Sequence, residues 1–491
     1  MTNGSPLYGH SLALLTDLYQ LTMSYGYWKT GGASKDAVFH LFYRKNPFRG
    51  GYAIACGLAP IVEILQAFQF CKSDIEYLGS LTGNDGKPLF EAAFLRELEE
   101  MEFSCDIDAV PEGTVVFPHE PLLRVRGPII QCQILETFLL NVINFQTLIA
   151  TQSARICSAA GDDPVLEFGL RRAQGIDGGL SASRAAYVGG CAATSNVLAG
   201  KLYDIPIKGT HAHSWVMSFD DELSAFEAYA EAMPNNCVFL VDTFDTLEGV
   251  KKAIQVGKKL RQRGYEMMGV RLDSGDLALL SIETRKLLDA AGFPDAAIVA
   301  SNDLNERVIE SLQHQGARIN VWGVGTKLAT AFEQPALGGV YKLSAIRKPG
   351  GNWEPRIKLS EQAIKTSNPG ILQVRRFEND SEFTADLIFD ENLGVGESTC
   401  IVDPRDPTLK RSLPVLGKAT DLLVPVFRSG QLVAEIPTIH EARGRANSQL
   451  NMLPQGVRRF MNPHQYPVGL ESELHELKSR LIREARGEDQ S

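Results

Sequence analysis

The chain has 491 residues, 44% of them hydrophobic and 22% charged, which is the balance of a folded globular protein and excludes a disordered or fibrous one. Its 49 Lys and Arg stand against 59 Asp and Glu, a formal charge of -10 with no basic block to offset it, so a nucleic-acid or anionic-membrane partner is not expected. Any phosphate it binds must be gripped locally, by backbone N–H groups and a few placed cations.

The N-terminus, MTNGSPLYGHSLALL, lacks a basic region before its short apolar stretch and makes a poor signal peptide. The first 125 residues mix helical and strand patterns without a regular rhythm. PEGTVVFPHEPLLRVRGP (111–128) reads as short strands with sharp turns. A long helix over about 131–160 follows; Glu136, Asn141, Asn144 and Gln146 interrupt its apolar face, so it cannot span a bilayer. The eight cysteines form no C-x-x-C pair, and most sit in apolar surroundings such as NCVFLV, the pattern of buried free thiols in a reducing, cytoplasmic setting.

From there the chain runs as short apolar stretches, each ending in glycine or polar residues and followed by a helical pattern. They are PVLEFG (164–169), IPIKG (205–209), CVFLVDT (237–243), MGVRLDSGD (268–276), AIVASND (297–303) and INVWGVGT (319–326). Their spacing is that of βα units, with amphipathic helices such as 246–257 and 277–291 between them. The expectation is an α/β protein. An irregular TIM-like (β/α) barrel over 131–344 would carry the active site, and 1–130 with 345–491 would fold together as a second α/β domain. After Leu343 the sequence turns loop-rich, as in IVDPRDPTLKR (401–411), and from Ser472 it ends in a charged helix and tail.

In a parallel barrel, ligands meet the C-terminal ends of the strands. Those ends supply Phe168, Arg171 and Arg172; Thr210, His211 and His213; Asp242; Arg271 and Asp273; Asn302 and Asp303; and Gly323, Gly325 and Thr326. Each has an ordinary structural explanation. DSGD suits a helix N-cap, GVGT a plain strand–helix turn, Phe168 and Tyr19 core packing, and either arginine of the pair a surface ion pair. On a strand, His211 and His213 would face one side, but no third metal ligand accompanies them at motif spacing. Together the residues have a sharper meaning: arginines, histidines and several carboxylates on one rim suit a polyanion bound with a divalent cation.

Taken as a set, LLTDLYQLTMSYGYW (14–28), FHLFYRKNPFRGGYAIACGL (39–58), LEFGLRRAQGIDGGLSASRAAYVGG (166–190), KGTHAHSWVMSF (208–219), VRLDSGDL (270–277), NVWGVGTKLAT (320–330) and GGVYKL (338–343) resemble the nicotinate phosphoribosyltransferases of NAD salvage. The resemblance implies a type II phosphoribosyltransferase acting as a homodimer. Its reaction would be nicotinate, 5-phosphoribosyl 1-diphosphate, ATP and water giving nicotinate mononucleotide, diphosphate, ADP and phosphate. It implies that His213 is the transiently phosphorylated histidine. Tyr19, reaching in from the partner subunit, would join Phe168, Arg171, Thr210 and Arg271 around nicotinate. Asn302, Asp303, Gly323, Gly325 and Thr326 would hold the sugar phosphate, and Asp242 and Asp273 the ribose, the diphosphate and its Mg²⁺ (or Mn²⁺). Nicotinamide-using relatives carry an Asp where this chain has Ala193-Thr194-Ser195-Asn196, so nicotinate is the expected base. The competing readings are a nicotinamide or quinolinate phosphoribosyltransferase, a barrel lyase with Asp242, Asp273 and His213 as metal ligands, and a non-catalytic scaffold.

Overall fold

The computed structural model describes residues 11–360, 366–396, 400–403, 408–413 and 418–487. It divides into two compact units, one of Met1–Leu148 with Ala336–Ser491 and one of Ile149–Pro335.

The second unit is built on a parallel sheet of β1 (Val165–Glu167), β2 (Ala193–Thr194), β3 (Val238–Leu240), β4 (Gly269–Leu272), β5 (Ala297–Ala300) and β6 (Val321–Val324), in the order β2-β1-β6-β5-β4-β3. The strands are near-continuous apolar runs because helices cover them: Phe239, Val270, Ile298 and Trp322 are fully buried. Three of the connecting helices are started by side chains that accept from backbone N–H groups. Asp245 caps Thr246–Gln262, Asp276 caps Leu277–Ala290, and Asn305 caps Glu306–His314. Beneath the sheet, Glu306 accepts from Arg155 Nε at 3.0 Å and Gln152 Nε2 at 2.8 Å, all three buried.

Two strand expectations need correction. Residues 205–209 make only one parallel bridge, Ile207 with Thr194, and the strand at that place is the unforeseen β2. Closure into a barrel is not among the hydrogen-bonded ladders of the described residues, which run from the bridge at Ile207 to β3 and stop there.

The first unit joins both ends of the chain. Asp36–Phe42 pairs antiparallel with Leu123–Pro128 on one side and with Val340–Arg347 on the other, within a seven-stranded sheet. A second, six-stranded sheet is centred on Leu372–Glu378 and Phe383–Asp390, in a region expected to be loop-rich. There Arg376 and Asp386 sit opposite each other in register, both buried and hydrogen-bonded. Of the 401–411 stretch, residues 404–407 lie outside the described residues. Its flanks, Cys400–Val402 and Lys410–Ser412, pair as antiparallel strands. The terminal helix is Ser472–Arg486. Among the described residues no helix is long and apolar enough to cross a membrane.

Candidate active site

The chemistry collects where β1, β3, β4, β5 and β6 end. Strand alternation puts Arg271, the third residue of β4, on the same face as Asp273 just beyond the strand. The Arg271 guanidinium is fixed by three partners from three segments. Its Nε donates to Ser301 Oγ at 2.8 Å, Nη1 to Thr210 Oγ1 at 2.9 Å and Nη2 to Asp273 Oδ1 at 2.9 Å. It also lies 5.8 Å from the centre of the Phe168 ring, within cation–π range. Phe168, Arg271 and Thr210 are thus brought together from the end of β1, from β4 and from the 208–212 segment.

The second cluster is acidic. Asp242 Oδ2 accepts from the Asp273 backbone N–H at 2.9 Å and from Ser274 Oγ at 2.6 Å, while its Oδ1 is buried without a hydrogen-bond partner. Burial by itself would raise the pKa of Asp273. Hydrogen bonds from Ser301 and the charge of Arg271 outweigh it, so the carboxyl is held below its ordinary range. His213 opens the short helix His213–Met217, with Nε2 3.9 Å from Asp242 Oδ1 and 3.8 Å from Asp273 Oδ2. Its Nδ1 is 3.2 Å from Thr243 Oγ1. The imidazole thus faces two carboxylates from two strand ends and is partly open to solvent.

The two histidines do not share a face. No strand forms over 208–212, and His211 points inward, where its Nε2 accepts from the Leu240 N–H at 3.2 Å among Phe226, Tyr229 and Phe239. Burial, with the charge of Arg271 adding to it, lowers its pKa to about 4, so it is a neutral structural acceptor. Arg171 and Arg172 are not on a strand either. Leu170–Arg172 is a 3₁₀ turn, and both guanidinium side chains are exposed. Among the described residues no group of three His, Cys, Asp or Glu has metal-holding geometry. The orphaned Asp242 Oδ1, with Asp273 beside it, suits a cation that takes its remaining ligands from substrate.

Asn302 and Asp303 follow β5 as exposed residues with φ of 95° and 43°, a left-handed pair that turns the chain sharply at the rim. Gly323 lies inside β6, where a Cβ would come 2.8 Å from the Phe168 ring, so its hydrogen is what admits that ring. Gly325 precedes the one-turn helix Thr326–Ala329. Tyr19 belongs to the first unit; with Leu15, Leu18 and Met23 it forms an exposed apolar stripe beginning just before the helix Leu18–Lys29.

Thr243, Ser274 and Ser301 stand among the strand-end residues read from the sequence, which gives them no role; in the structure they orient the charged groups. Glu167 is buried at the end of β1, and its signal was present: an acid inside an apolar strand run. The first unit also holds a cavity of about 780 Å³ lined by Arg44, Lys45, Arg49, His119, Lys410 and Arg411. Its cations suit a polyanion, and the cluster in YRKNPFR was its trace in the sequence.

Comparison with known proteins covers almost the whole chain. Residues 14–144 match the nicotinate phosphoribosyltransferase (NAPRTase) N-terminal domain, 165–385 the NAPRTase family and 373–478 its C-terminal domain. The chain is 42% identical to a Bacillus subtilis nicotinate phosphoribosyltransferase, over 97% of this chain and 98% of the relative. It is 39% identical to the enzyme of that name in Caenorhabditis elegans, over 95% and 93%. The crystal structure of human nicotinic acid phosphoribosyltransferase superposes with a TM-score of 0.83 at 34% identity, over 95% of this chain and 99% of that one. A nicotinate-nucleotide pyrophosphorylase from Pyrococcus furiosus, 22% identical, shares the fold at a TM-score of 0.68, over 89% and 94%.

Proposed function

The chain belongs to the nicotinate phosphoribosyltransferase family, and we propose that it transfers the 5-phosphoribosyl group of 5-phosphoribosyl 1-diphosphate to nicotinate in NAD salvage, with ATP hydrolysis coupled through a phosphohistidine at His213. The observation that carries this reading is the rim itself: the Arg271 guanidinium held by Thr210 within reach of the Phe168 ring, next to an imidazole facing two carboxylates.

The ring nitrogen of nicotinate is already a nucleophile, so no general base is required. The task is to place it in line with ribose C1 as the bond to diphosphate breaks. Phe168 offers a ring face, and Arg271 and Thr210 offer donors to the carboxylate. Nicotinate is favoured over nicotinamide because the 193–196 stretch presents no carboxylate to repel it. Asn302, Asp303, Gly325 and Thr326, at the ends of β5 and β6, would receive the sugar phosphate. Asp242 and Asp273 would hold Mg²⁺ or Mn²⁺, which neutralises charge on the departing diphosphate. In the coupling step a His213 nitrogen takes the γ-phosphoryl group of ATP and releases ADP. Water later cleaves the phosphohistidine to inorganic phosphate.

The exposed stripe of Leu15, Leu18, Tyr19 and Met23 supports a homodimer in which Tyr19 reaches the partner's base site, with the basic cavity as a second surface for phosphate groups. The parallel order β2-β1-β6-β5-β4-β3, extended by the bridge to Ile207, supports the irregular barrel of the family. A cytoplasmic location follows from the reaction's substrates and the free thiols.

The deciding assay is mononucleotide formation from phosphoribosyl diphosphate and Mg²⁺ with nicotinate, nicotinamide or quinolinate, each with and without ATP. The expected result is product from nicotinate, faster with ATP, with ADP released. Product from nicotinamide alone would overturn the reading of 193–196. Equal rates with and without ATP would overturn the role of His213.

A further inference from the structure

Glu167 ends β1 with 1% of its surface exposed, and its partners are neutral. One carboxylate oxygen accepts from the Gly169 backbone N–H. The other accepts from Ser183 Oγ at 2.8 Å and Thr194 Oγ1 at 2.6 Å. A buried carboxylate is costly unless it is fully hydrogen-bonded, and a hydrophobic strand end would have been the cheaper choice for folding alone.

The arrangement explains what the charge does. A carboxylate only accepts, so all three neighbours must donate to it. The Thr194 hydroxyl, its proton committed, turns its lone pairs to the Asn196 N–H at 3.0 Å. Ser183 Oγ likewise receives Asn196 Nδ2 at 3.2 Å, and the main-chain oxygen of Glu167 accepts from the Ser195 N–H at 3.0 Å. One side chain therefore sets the direction of donors across three segments: the Phe168–Gly169 turn, the helix Gly175–Val188 and the 194–196 loop. The turn has no slack, since a Cβ on Gly169 would fall 2.3 Å from Ala329 Cβ and 2.9 Å from the Gly325 carbonyl oxygen. Phe168 is thereby held with its N–H on the Val324 carbonyl oxygen at 2.8 Å and its ring between Gly323 and Arg271.

We propose that Glu167 is a positioning residue for the base pocket, fixing the Phe168 wall and the 194–196 loop together through Gly169, Ser183 and Thr194. The inference rests on the reading of this rim as the nicotinate site. It also bears on selectivity: the carboxylate nearest that loop is fully engaged by its three donors, so its charge is satisfied within the scaffold and not by the bound base.

The test is Glu167→Gln, which keeps the volume and replaces one acceptor oxygen by an amide donor, with Thr194→Val as a second variant that removes a single donor. Both are measured for KM with each substrate, kcat, calorimetric nicotinate binding and melting temperature. The KM for nicotinate is expected to rise about tenfold, the effect of one charge-assisted hydrogen bond, with weaker calorimetric binding, while KM for phosphoribosyl diphosphate and kcat stay within about threefold. Unchanged nicotinate KM in an active enzyme, or an equal rise for both substrates that tracks a lowered melting temperature, would overturn the positioning role. A wild-type protein that neither binds nicotinate nor forms mononucleotide would overturn the function reading instead. If Glu167→Gln does not fold, the Thr194→Val result decides by the same criteria.

Discussion

Asp242→Asn separates the charge of the rim from its architecture. The Asn carbonyl oxygen can keep both bonds that Asp242 Oδ2 makes, from the Asp273 N–H and Ser274 Oγ. Its NH₂ then occupies the Oδ1 position, which has no hydrogen-bond partner to lose. Stability should change by no more than about 1 kcal/mol. Activity should not survive as well, because the lost charge faces His213 Nε2 at 3.9 Å. When an imidazole nitrogen attacks phosphorus the ring becomes cationic, and a unit charge pair at that distance is worth about 4 kcal/mol at an effective dielectric of about 20. Solvent reaching the partly open histidine reduces this, so the expected loss is about 10²- to 10³-fold in the rate of ADP release and of ATP-stimulated mononucleotide formation. The assay pairs those two rates with a melting curve of the variant. A variant that melts like the wild type and keeps its ATP-coupled rate within about threefold would refute the assignment of Asp242 as the counter-charge of His213.

The other predictions follow from single contacts. His211 has a folded pKa of about 4 against an ordinary 6.5, so between those values the unfolded chain binds a proton that the folded one does not, and stability falls as pH drops through that window. Denaturant midpoints at pH 7.5 and about pH 5 should show the wild type losing about 2 kcal/mol more than His211→Asn. Arg271→Lys replaces a planar fork holding Ser301, Thr210 and Asp273 with one point charge, and steady-state kinetics should show the nicotinate KM rising about 10- to 100-fold. Glu306→Ala leaves Arg155 buried without its carboxylate; calorimetry should show a loss of about 3 to 5 kcal/mol of stability, with nicotinate KM unchanged in protein that remains folded.

What the sequence disclosed, it disclosed through period and burial. The apolar runs of 237–243, 268–276, 297–303 and 319–326 mark strands because both faces of a parallel sheet are covered, and reading off the residues at their ends located the rim. The same logic failed where polar groups satisfy one another. Arg376 and Asp386, paired across register in the first unit, put charges on a buried strand face, so Leu372–Glu378 and Phe383–Asp390 lack the apolar pattern of the runs before them. β2 is two residues long and carries no period. The burial of His211 and the 3₁₀ turn at Arg171 depend on what the rest of the chain packs around them. Glu167 was the most legible of the omissions, since an acid within a buried strand run demands donors, and Ser183 and Thr194 supply them.

The charge balance of the rim bears on how a chain with a formal charge of -10 can take a polyanionic substrate. Screening limits distant charges to about 8 Å at physiological ionic strength, so the overall sign matters less than the neighbours of the ligand. At the rim, Arg271 is already paired with Asp273 at 2.9 Å, and Asp242 adds a buried carboxylate that no Lys or Arg among the described residues contacts within hydrogen-bonding distance. Two carboxylates thus stand against one guanidinium, a balance that would repel a bare diphosphate. Such a surface is complementary to a diphosphate that arrives with a divalent cation. Arg171 and Arg172 are exposed on the turn after β1 and would be left for the outer phosphate oxygens. On this reading Asp242 and Asp273 are kept for what they do once charge has been brought in. With the proposed cation bound, they would turn the rim from a general anion trap into a site that distinguishes a metal-bound diphosphate from the many free anions around it.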